Sequence, residues 1–210
     1  MPSSSSAKLR RHRILCLPGD GVGPELLEAT KLVLAATGLA LEYETMDFGQ
    51  ALFKRSGVAI SDEHLHAMER IGCVLKGPIE VPSGQEPGST VELRGRRFTS
   101  ANQAMRKLLC LYANVRPSRH LTGTGGHFTD TDIVVIRENM EGMYTGEEAW
   151  EGSEPGHSAV ATRRITRIGA LRIARFAFTF AVQHGRTHVT AAHKANVLRL
   201  SDGLFLECCR

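Results

Sequence analysis

Three arginines in the middle of the chain have the residue type and the placement to bind an anionic ligand. Arg106 lies on a predicted helix, Arg116 ends an extended segment, and Arg137 follows an apolar strand predicted over residues 133–136. Guanidinium groups that gather in one place need anions, and a substrate with several carboxylates supplies them through paired hydrogen bonds. Arg106 taken alone is better explained as a surface residue. Arg137 is not, because a charge that directly follows four aliphatic residues needs a partner.

A tyrosine and a lysine are the candidates for proton transfer. Tyr144 lies in a loop shortly after Arg137, and Lys194 ends a strand predicted over residues 187–192. Cationic or desolvated surroundings that lower the pKa of both side chains let them exchange protons with a substrate. Taken alone, Tyr144 is better explained as a hydrogen-bonded tyrosine and Lys194 as a solvated lysine, since titratable residues are common at the ends of elements.

A glycine-rich turn, Gly19-Asp-Gly-Val-Gly23, follows the first predicted strand. Such a turn can hold a phosphate on the N–H groups at the start of the next helix. Its spacing does not match the G-x-G-x-x-G fingerprint of dinucleotide sites. A tight strand-to-helix turn is therefore the favoured interpretation, with phosphate binding as the alternative.

The elements that position these residues alternate along the first half of the chain. The pattern predicts strands at residues 14–17, 39–46 and 73–75. Between them it predicts a helix with Pro24 in its first turn and a helix capped by Ser61. This alternation favours an α/β fold with a largely parallel sheet.

The second half carries the longer predicted elements. These are helices at 102–109 and 168–182, a buried strand at 132–136, extended structure at 143–166 and a helix from Asp202. In the 168–182 helix, helical spacing predicts an inward face made of Ile168, Leu171, Phe178 and Val182.

The composition limits the class of protein. The 210 residues are 42% hydrophobic and 23% charged, which predicts a folded chain with a buried core. No apolar run approaches the roughly 20 residues of a membrane-spanning helix. The net charge of +4 is too small to indicate nucleic acid, and an acidic small molecule explains the surplus of arginine equally well. Five cysteines without metal-binding spacing predict reduced thiols inside the cell.

Six segments in order resemble the isocitrate and isopropylmalate dehydrogenase family, and isocitrate dehydrogenases most closely. They are Gly19-Asp-Gly-Val-Gly-Pro-Glu25, Lys76-Gly-Pro78, Ser100-x-Asn102-x-x-x-Arg106-Lys107, Tyr112-Ala-Asn-Val-Arg-Pro117, Val135-Ile-Arg-Glu-Asn-Met-Glu-Gly-Met-Tyr144, and His193-Lys-Ala-Asn196 followed by Ser201-Asp-Gly-Leu-Phe205. Any one of these segments is weakly specific. Six in family order, spanning nearly the whole chain, are strong.

The resemblance implies a substrate-binding role for five of these residues. Arg106, Arg116 and Arg137 would bind the substrate carboxylates. Ser100 and Asn102 would contact the γ-carboxylate of isocitrate, where isopropylmalate enzymes carry a bulkier apolar patch.

The resemblance also implies the chemistry, which is oxidative decarboxylation of isocitrate to 2-oxoglutarate. Lys194 would help to take the hydroxyl proton, typically in the site of a neighbouring subunit, and Tyr144 would return a proton to carbon after CO₂ leaves. Asn196 would lie near the nicotinamide ribose. The implied cofactors are NAD or NADP and Mg²⁺ or Mn²⁺. The metal ligands are expected beyond the position of Arg210, so the 210 residues are expected to be inactive alone.

The implied fold class is α/β, the N-terminal part of an isocitrate/isopropylmalate dehydrogenase-like fold. Residues 1–115 would start a large domain. Residues 116–210 would form a small dimerisation domain with a clasp-like excursion near 143–166. The expected partners are a small tricarboxylate and either a second copy or a heteromeric subunit. The expected compartment is the cytoplasm, with the mitochondrial matrix as the alternative.

Alternatives and departures from the family pattern remain. The chain could instead belong to a homoisocitrate or 3-isopropylmalate dehydrogenase, to a non-catalytic regulatory subunit, or to an inactive fragment. The family commonly has threonine where this chain has Val81 and Met140. Losing the first hydroxyl would weaken contacts near the nicotinamide.

Overall fold

The computed structural model describes residues 11–80, 90–125, 127–152 and 156–210. Two compact units divide the chain after Leu109, and each is described by itself. Val81 and the N-terminal tail up to residue 10 lie outside the described residues. The assignment of the two halves to a large and a small domain stays a prediction.

The first unit is built on a parallel three-stranded sheet, as the alternating pattern predicts. Its strands β1 (His12–Leu17), β2 (Leu41–Thr45) and β3 (Val74–Lys76) are arranged in the order β2-β1-β3. The middle strand β1 is the most buried, with Leu15 and Leu17 fully inside the core. A central parallel strand loses solvent on both faces, so its apolar run is continuous rather than alternating.

Four helices and a hairpin surround this sheet. They are α1 (Gly23–Ala35), α2 (Gln50–Ser56), α3 (Asp62–Ile71) and α4 (Ala101–Leu108), and the hairpin is formed by β4 (Val91–Leu93) and β5 (Arg96–Phe98). Ser61 caps α3 in a reciprocal capping box with His64, and Leu65 and Met68 face the core as expected. Helix α2 is absent from the sequence prediction, because Gly49 at its start offers no side-chain cap.

The second unit contains a two-stranded antiparallel sheet. Strand β6 (Ala113–Arg119) pairs with β7 (Asp132–Glu138), and Asn114 stands opposite Arg137. The prediction that β7 is buried is wrong: none of its residues is buried, and Val134 and Ile136 are only half-buried. Ile133 and Val135 are 58% and 50% exposed, because within this unit α5 packs against β7 and the alternate side chains point to the opposite face.

Extended structure follows β7, as the sequence predicts. A single 3₁₀ turn covers Met143–Thr145, and the short strands β8 (Glu148–Trp150) and β9 (Ala159–Ala161) pair antiparallel. Trp150 at the end of β8 is 63% exposed.

Two helices complete the second unit, α5 (Arg167–Gln183) and α6 (Ser201–Cys209). The predicted inward face of α5 is wrong, because Ile168, Phe178 and Val182 are exposed. The buried positions of this helix are Gly169, Ala170, Ile173, Ala174 and Ala181. Small side chains allow close approach to β7 and α6, so the contact face of α5 is set by small residues rather than by large ones.

The strand predicted over 187–192 does not form. These residues have irregular backbone, and among the described residues of the second unit no neighbouring strand pairs with them. An apolar alternation becomes a strand only where a partner completes the ladder of hydrogen bonds. In the described part of the chain, no helix is both long enough and apolar enough to cross a bilayer. All five cysteines are free.

Candidate active site

Helix α4 positions the first group of candidate residues. Ser100 is its N-cap, and the serine hydroxyl oxygen accepts a hydrogen bond from the backbone N–H of Gln103 at 3.2 Å. Asn102 and Arg106 are four residues apart, so they lie on the same side of the helix. All three predicted residues of this unit are half-buried. The hydroxyl of Ser100 still has its own proton to donate to a ligand oxygen.

Lys76, which the sequence indicated only as part of a motif at a strand end, lies within electrostatic range of Arg106. Its ammonium donates to the carbonyl oxygen of Gly77 at 2.7 Å and lies 5.6 Å from the ring centre of Phe48. Burial lowers the pKa of Lys76 below its ordinary value, and the positive charge of Arg106 lowers it further, while Asp20 opposes the shift. Two neighbouring cations, one of them partly desolvated, form a surface suited to an anion.

The glycine-rich turn is interlocked with the segment that carries Lys76. The N–H of Asp20 donates to the carbonyl of Pro78 at 2.8 Å, and the N–H of Gly77 donates to the carbonyl of Leu17 at 2.8 Å. A Cβ at Gly19 would collide with the Pro78 carbonyl oxygen. The glycines therefore permit close packing of two turns, which supports the tight-turn interpretation over phosphate binding.

In the second unit, Arg116 and Arg137 share one face of the β6–β7 sheet. Asn114 stands opposite Arg137, and residues two apart on a strand point to the same side, so Arg116 joins them. The Nε of Arg116 donates to the side-chain oxygen of Asn114 at 2.9 Å. No carboxylate within the described ranges forms an ion pair with Arg116 or Arg137.

Arg137 also contacts Tyr144. Its guanidinium carbon lies 5.1 Å from the tyrosine ring centre, and one terminal nitrogen donates a long bond of 3.4 Å to the side-chain oxygen of Asn139. The Nε of Arg137 is buried and has no hydrogen-bond partner among the described atoms. Tyr144 as a whole residue is 39% exposed. The structure thus brings together Arg116, Arg137 and Tyr144.

Lys194 and Asn196 lie on an exposed turn directly before α6. The backbone N–H of Lys194 donates to the carboxylate of Asp202 at 2.6 Å, and this carboxylate also pairs with Arg163 at 2.7 Å. Asp202 is only 3% exposed. Its role in holding the lysine turn is absent from the sequence prediction, which used Asp202 only as a helix start.

The described residues do not make a metal site by themselves. Nowhere among them do three or more His, Cys, Asp or Glu side chains come together in an arrangement that could hold an ion. Within residues 11–80, 90–125, 127–152 and 156–210 the side chains therefore offer no ligand set for a resident divalent metal. The candidate residues Arg106, Arg116, Arg137 and Lys194 are cationic, which suits a ligand with several negative charges.

Comparison with known proteins identifies the family to which these features correspond. The family model described as isocitrate/isopropylmalate dehydrogenase matches residues 13–210. The mitochondrial isocitrate dehydrogenase (NAD) catalytic subunit 5 of Arabidopsis thaliana is 40% identical over 92% of this chain and 48% of its own length. The chloroplastic 3-isopropylmalate dehydrogenase of Solanum tuberosum is 37% identical over 99% of this chain and 54% of its own length.

A solved structure gives the same result for the fold. The crystal structure of isocitrate dehydrogenase from Methylococcus capsulatus matches with a TM-score of 0.83 and 36% identity, covering 95% of this chain and 56% of that one. The α/β fold predicted from the sequence is therefore confirmed. The chain spans about half the length of the curated relatives it matches.

Proposed function

Because this chain belongs to the isocitrate/isopropylmalate dehydrogenase family, we propose that the whole protein oxidatively decarboxylates isocitrate to 2-oxoglutarate. The observation that supports this most directly is the arrangement around Arg137, which shares a sheet face with Arg116 and lies against Tyr144. A tricarboxylate would bring negative charge to this face. Charge-assisted hydrogen bonds from arginine to carboxylate are the strong kind, and their planar geometry fixes the orientation of the ligand.

The arginines divide the work of substrate binding. Arg116 and Arg137, which share a sheet face, bind substrate carboxylates in this proposal. The resemblance assigns a carboxylate-binding role to Arg106 as well. Lys76 adds positive charge next to Arg106, and we include it in the substrate-binding set on that ground. Binding of an anion would stabilise the charged form of Lys76 and so raise its pKa.

Two residues move protons in this proposal. Lys194 helps to remove the hydroxyl proton as the substrate is oxidised. Tyr144 delivers a proton to carbon after CO₂ has left, and the neighbouring guanidinium of Arg137 stabilises the tyrosinate that forms. Asn196 lies on the same turn as Lys194 and is assigned to the nicotinamide ribose.

NAD or NADP and Mg²⁺ or Mn²⁺ are the cofactors that the family relationship suggests for the whole protein. The described residues offer no set of ligands for the metal. None of the residue roles in this proposal depends on it.

The choice of substrate rests on Ser100 and Asn102. A hydroxyl and an amide at the start of α4 favour a carboxylate over an isopropyl group, because half-buried polar groups that face an alkyl chain would lose hydrogen bonds. This argument favours isocitrate, with homoisocitrate as the nearest alternative. 3-Isopropylmalate is a second candidate, since several of the relatives are named 3-isopropylmalate dehydrogenase.

A regulatory subunit without activity is the remaining alternative. The complete set of Arg106, Arg116, Arg137, Tyr144 and Lys194 argues against it, because a regulatory copy has no need of the proton-transfer pair. We propose a homodimer or a heteromer as the working assembly, located in the cytoplasm or the mitochondrial matrix.

Ligand ranking tests the choice of substrate. The chain is titrated with isocitrate, homoisocitrate and 3-isopropylmalate in a calorimeter, and the series is repeated with Ser100→Ala. We expect isocitrate to bind most tightly and the variant to lose this preference. Tightest binding of 3-isopropylmalate by the parent chain would favour the second candidate and overturn the first.

A further inference from the structure

The carboxylate of Asp20 is buried, and both of its oxygens accept hydrogen bonds from backbone groups. It is 6% exposed. One oxygen accepts from the N–H of Gln50 at 2.8 Å and of Glu80 at 2.9 Å, and the other accepts from the N–H of Ala51 at 2.7 Å. An ionised carboxylate offers about four acceptor positions on two oxygens. A serine hydroxyl or an asparagine amide has only one acceptor oxygen, so neither can accept from three N–H groups that approach two different oxygens.

These three donors belong to two separate segments of the first unit. Gln50 and Ala51 start α2, and Glu80 follows the turn that carries Lys76. The backbone N–H of Asp20 also holds the carbonyl of Pro78 at 2.8 Å. Asp20 therefore forms hydrogen bonds with the segment after β3 at two residues, Pro78 and Glu80. Its carboxylate also accepts from the first N–H groups of α2, so it connects the two segments.

We infer that Asp20 is a positioning residue for the substrate-binding cations of the first unit: by anchoring Pro78 and Glu80 it fixes Lys76 beside Arg106. This inference rests on the proposed function, in which these two cations bind a substrate carboxylate. Asp20 itself does not touch the substrate, because its oxygens are occupied by the three N–H groups.

The close packing of the turns supports this role. A Cβ at Gly77, next to Lys76, would collide with the carbonyl oxygen of Pro18. Close packing thus restricts the backbone next to Lys76, and the hydrogen bonds to Asp20 hold this backbone in place. Loss of these hydrogen bonds would free the Lys76 ammonium from the ring of Phe48.

The test exploits two effects of opposite sign on Lys76. Asp20→Asn is compared with the parent chain and with Ser61→Ala, a cap variant of α3 that destabilises the same unit without touching Lys76. The pKa of the Lys76 ammonium is measured by NMR titration. If Asp20 acts only as a nearby negative charge, its neutralisation lowers the pKa of Lys76, because that charge favours the ammonium form. If Asp20 positions the segment, release of Lys76 into water raises the pKa toward the ordinary value.

We expect the pKa of Lys76 to rise in Asp20→Asn and to stay unchanged in Ser61→Ala. An unchanged or lower pKa in Asp20→Asn overturns the inference. An isocitrate titration of the same proteins separates the two proposals: absence of binding by the parent chain counts against the proposed function, while the Lys76 result still decides the role of Asp20.

Hydrogen exchange of the unaltered chain gives a second test, which is needed if Asp20→Asn does not fold. Amides held by one carboxylate should open together, so Gln50, Ala51 and Glu80 should show protection that agrees within about tenfold. Exchange of the Glu80 amide at the rate of an unprotected peptide, with Gln50 and Ala51 protected, would contradict the inference.

Discussion

The guanidinium of Arg137 lies against the ring of Tyr144, with 5.1 Å between the guanidinium carbon and the ring centre. The residue proposed to bind a substrate carboxylate is thus in contact with the residue proposed to protonate the product. A cation over an aromatic face is attracted by the ring itself and not by the hydroxyl. The ring of Tyr144 therefore helps to position Arg137.

This contact predicts different results for two substitutions of Tyr144. Tyr144→Phe keeps the ring, so isocitrate should bind with an affinity within about twofold of the parent chain. Tyr144→Leu removes the aromatic face, and the loss of about 0.5–1 kcal/mol corresponds to a two- to fivefold weaker affinity. Calorimetric titration of both variants measures this. Equal affinities for Phe and Leu would show that the ring does not position Arg137.

The interlocked turns of the first unit predict an unequal response at two glycines with the same backbone conformation. Gly19 and Gly57 have φ angles of +74° and +76°, but only a Cβ at Gly19 meets a carbonyl oxygen. Gly57→Ala should cost about 1–2 kcal/mol, the strain of a left-handed alanine. Gly19→Ala should cost more than about 4 kcal/mol because backbone must also shift.

Urea unfolding of both glycine variants, followed by circular dichroism, provides the measurement. Gly57→Ala serves as the control for left-handed strain. Similar losses of unfolding free energy at the two positions would mean that the turns are not tightly packed.

The buried carboxylate of Asp202 predicts a stability effect in the second unit. Asp202→Ala removes the acceptor for the Lys194 N–H and the partner of Arg163, so the free energy of unfolding should fall by about 2–4 kcal/mol. Asp202→Asn keeps one acceptor oxygen and should lose roughly half as much. Denaturant unfolding distinguishes them. A loss below about 0.5 kcal/mol for Asp202→Ala, the usual value for a surface substitution, would exclude the structural role.

The lowered pKa of Lys76 predicts how stability depends on pH. The ordinary pKa of lysine is 10.5. In the folded chain the pKa of Lys76 is lower, mainly because of burial and secondly because of the positive charge of Arg106. Between the lowered pKa and 10.5 the unfolded chain therefore binds more protons, so this residue makes stability rise with pH. Below that pH window Lys76 is charged in the folded chain, and its burial lowers the free energy of unfolding by the full amount. Above the window both states are uncharged, and this destabilisation is absent.

Replacement of Lys76 by methionine isolates this contribution. Lys76→Met should be more stable than the parent chain at neutral pH, and the difference should shrink as the pH approaches 10.5. The same substitution at the exposed Lys54 is the control. Unfolding free energies measured from pH 7 to 10.5 test this, and a difference that does not change with pH would rule out the assigned cause.

Local signals allowed much of the fold to be predicted from the sequence. Pro24 in the first turn of α1 and the Ser61 cap of α3 act on neighbouring residues, so short patterns contain them. Helix α2 was missed because the carboxylate that holds its first N–H groups, Asp20, lies thirty residues earlier. The strand predicted over 187–192 is wrong for a different reason. Its residue pattern suits a strand, but no described strand forms the ladder of hydrogen bonds with it.

The candidate site shows the same division. Residue type and motif order indicated Arg116, Arg137 and Tyr144, and the structure brings these three together. Lys76 and Asp202 were not predicted as functional residues, because neither type nor spacing shows which backbone or charge they meet. Burial and hydrogen bonds, which are properties of the folded chain, were needed to find them.

Calorimetric titration of the chain with isocitrate, for the parent and for Arg137→Ala, tests the central claim most directly. Arg167→Ala, which removes an exposed ion pair with Glu207 in the same unit, is the matched control. Hydrogen bonds to charged groups contribute about 1.5–3 kcal/mol, so Arg137→Ala should weaken binding by at least about tenfold. The control should bind like the parent chain. Absence of isocitrate binding by the parent chain, or equal binding by Arg137→Ala, would contradict the claim that this chain assembles a tricarboxylate-binding surface around Arg137.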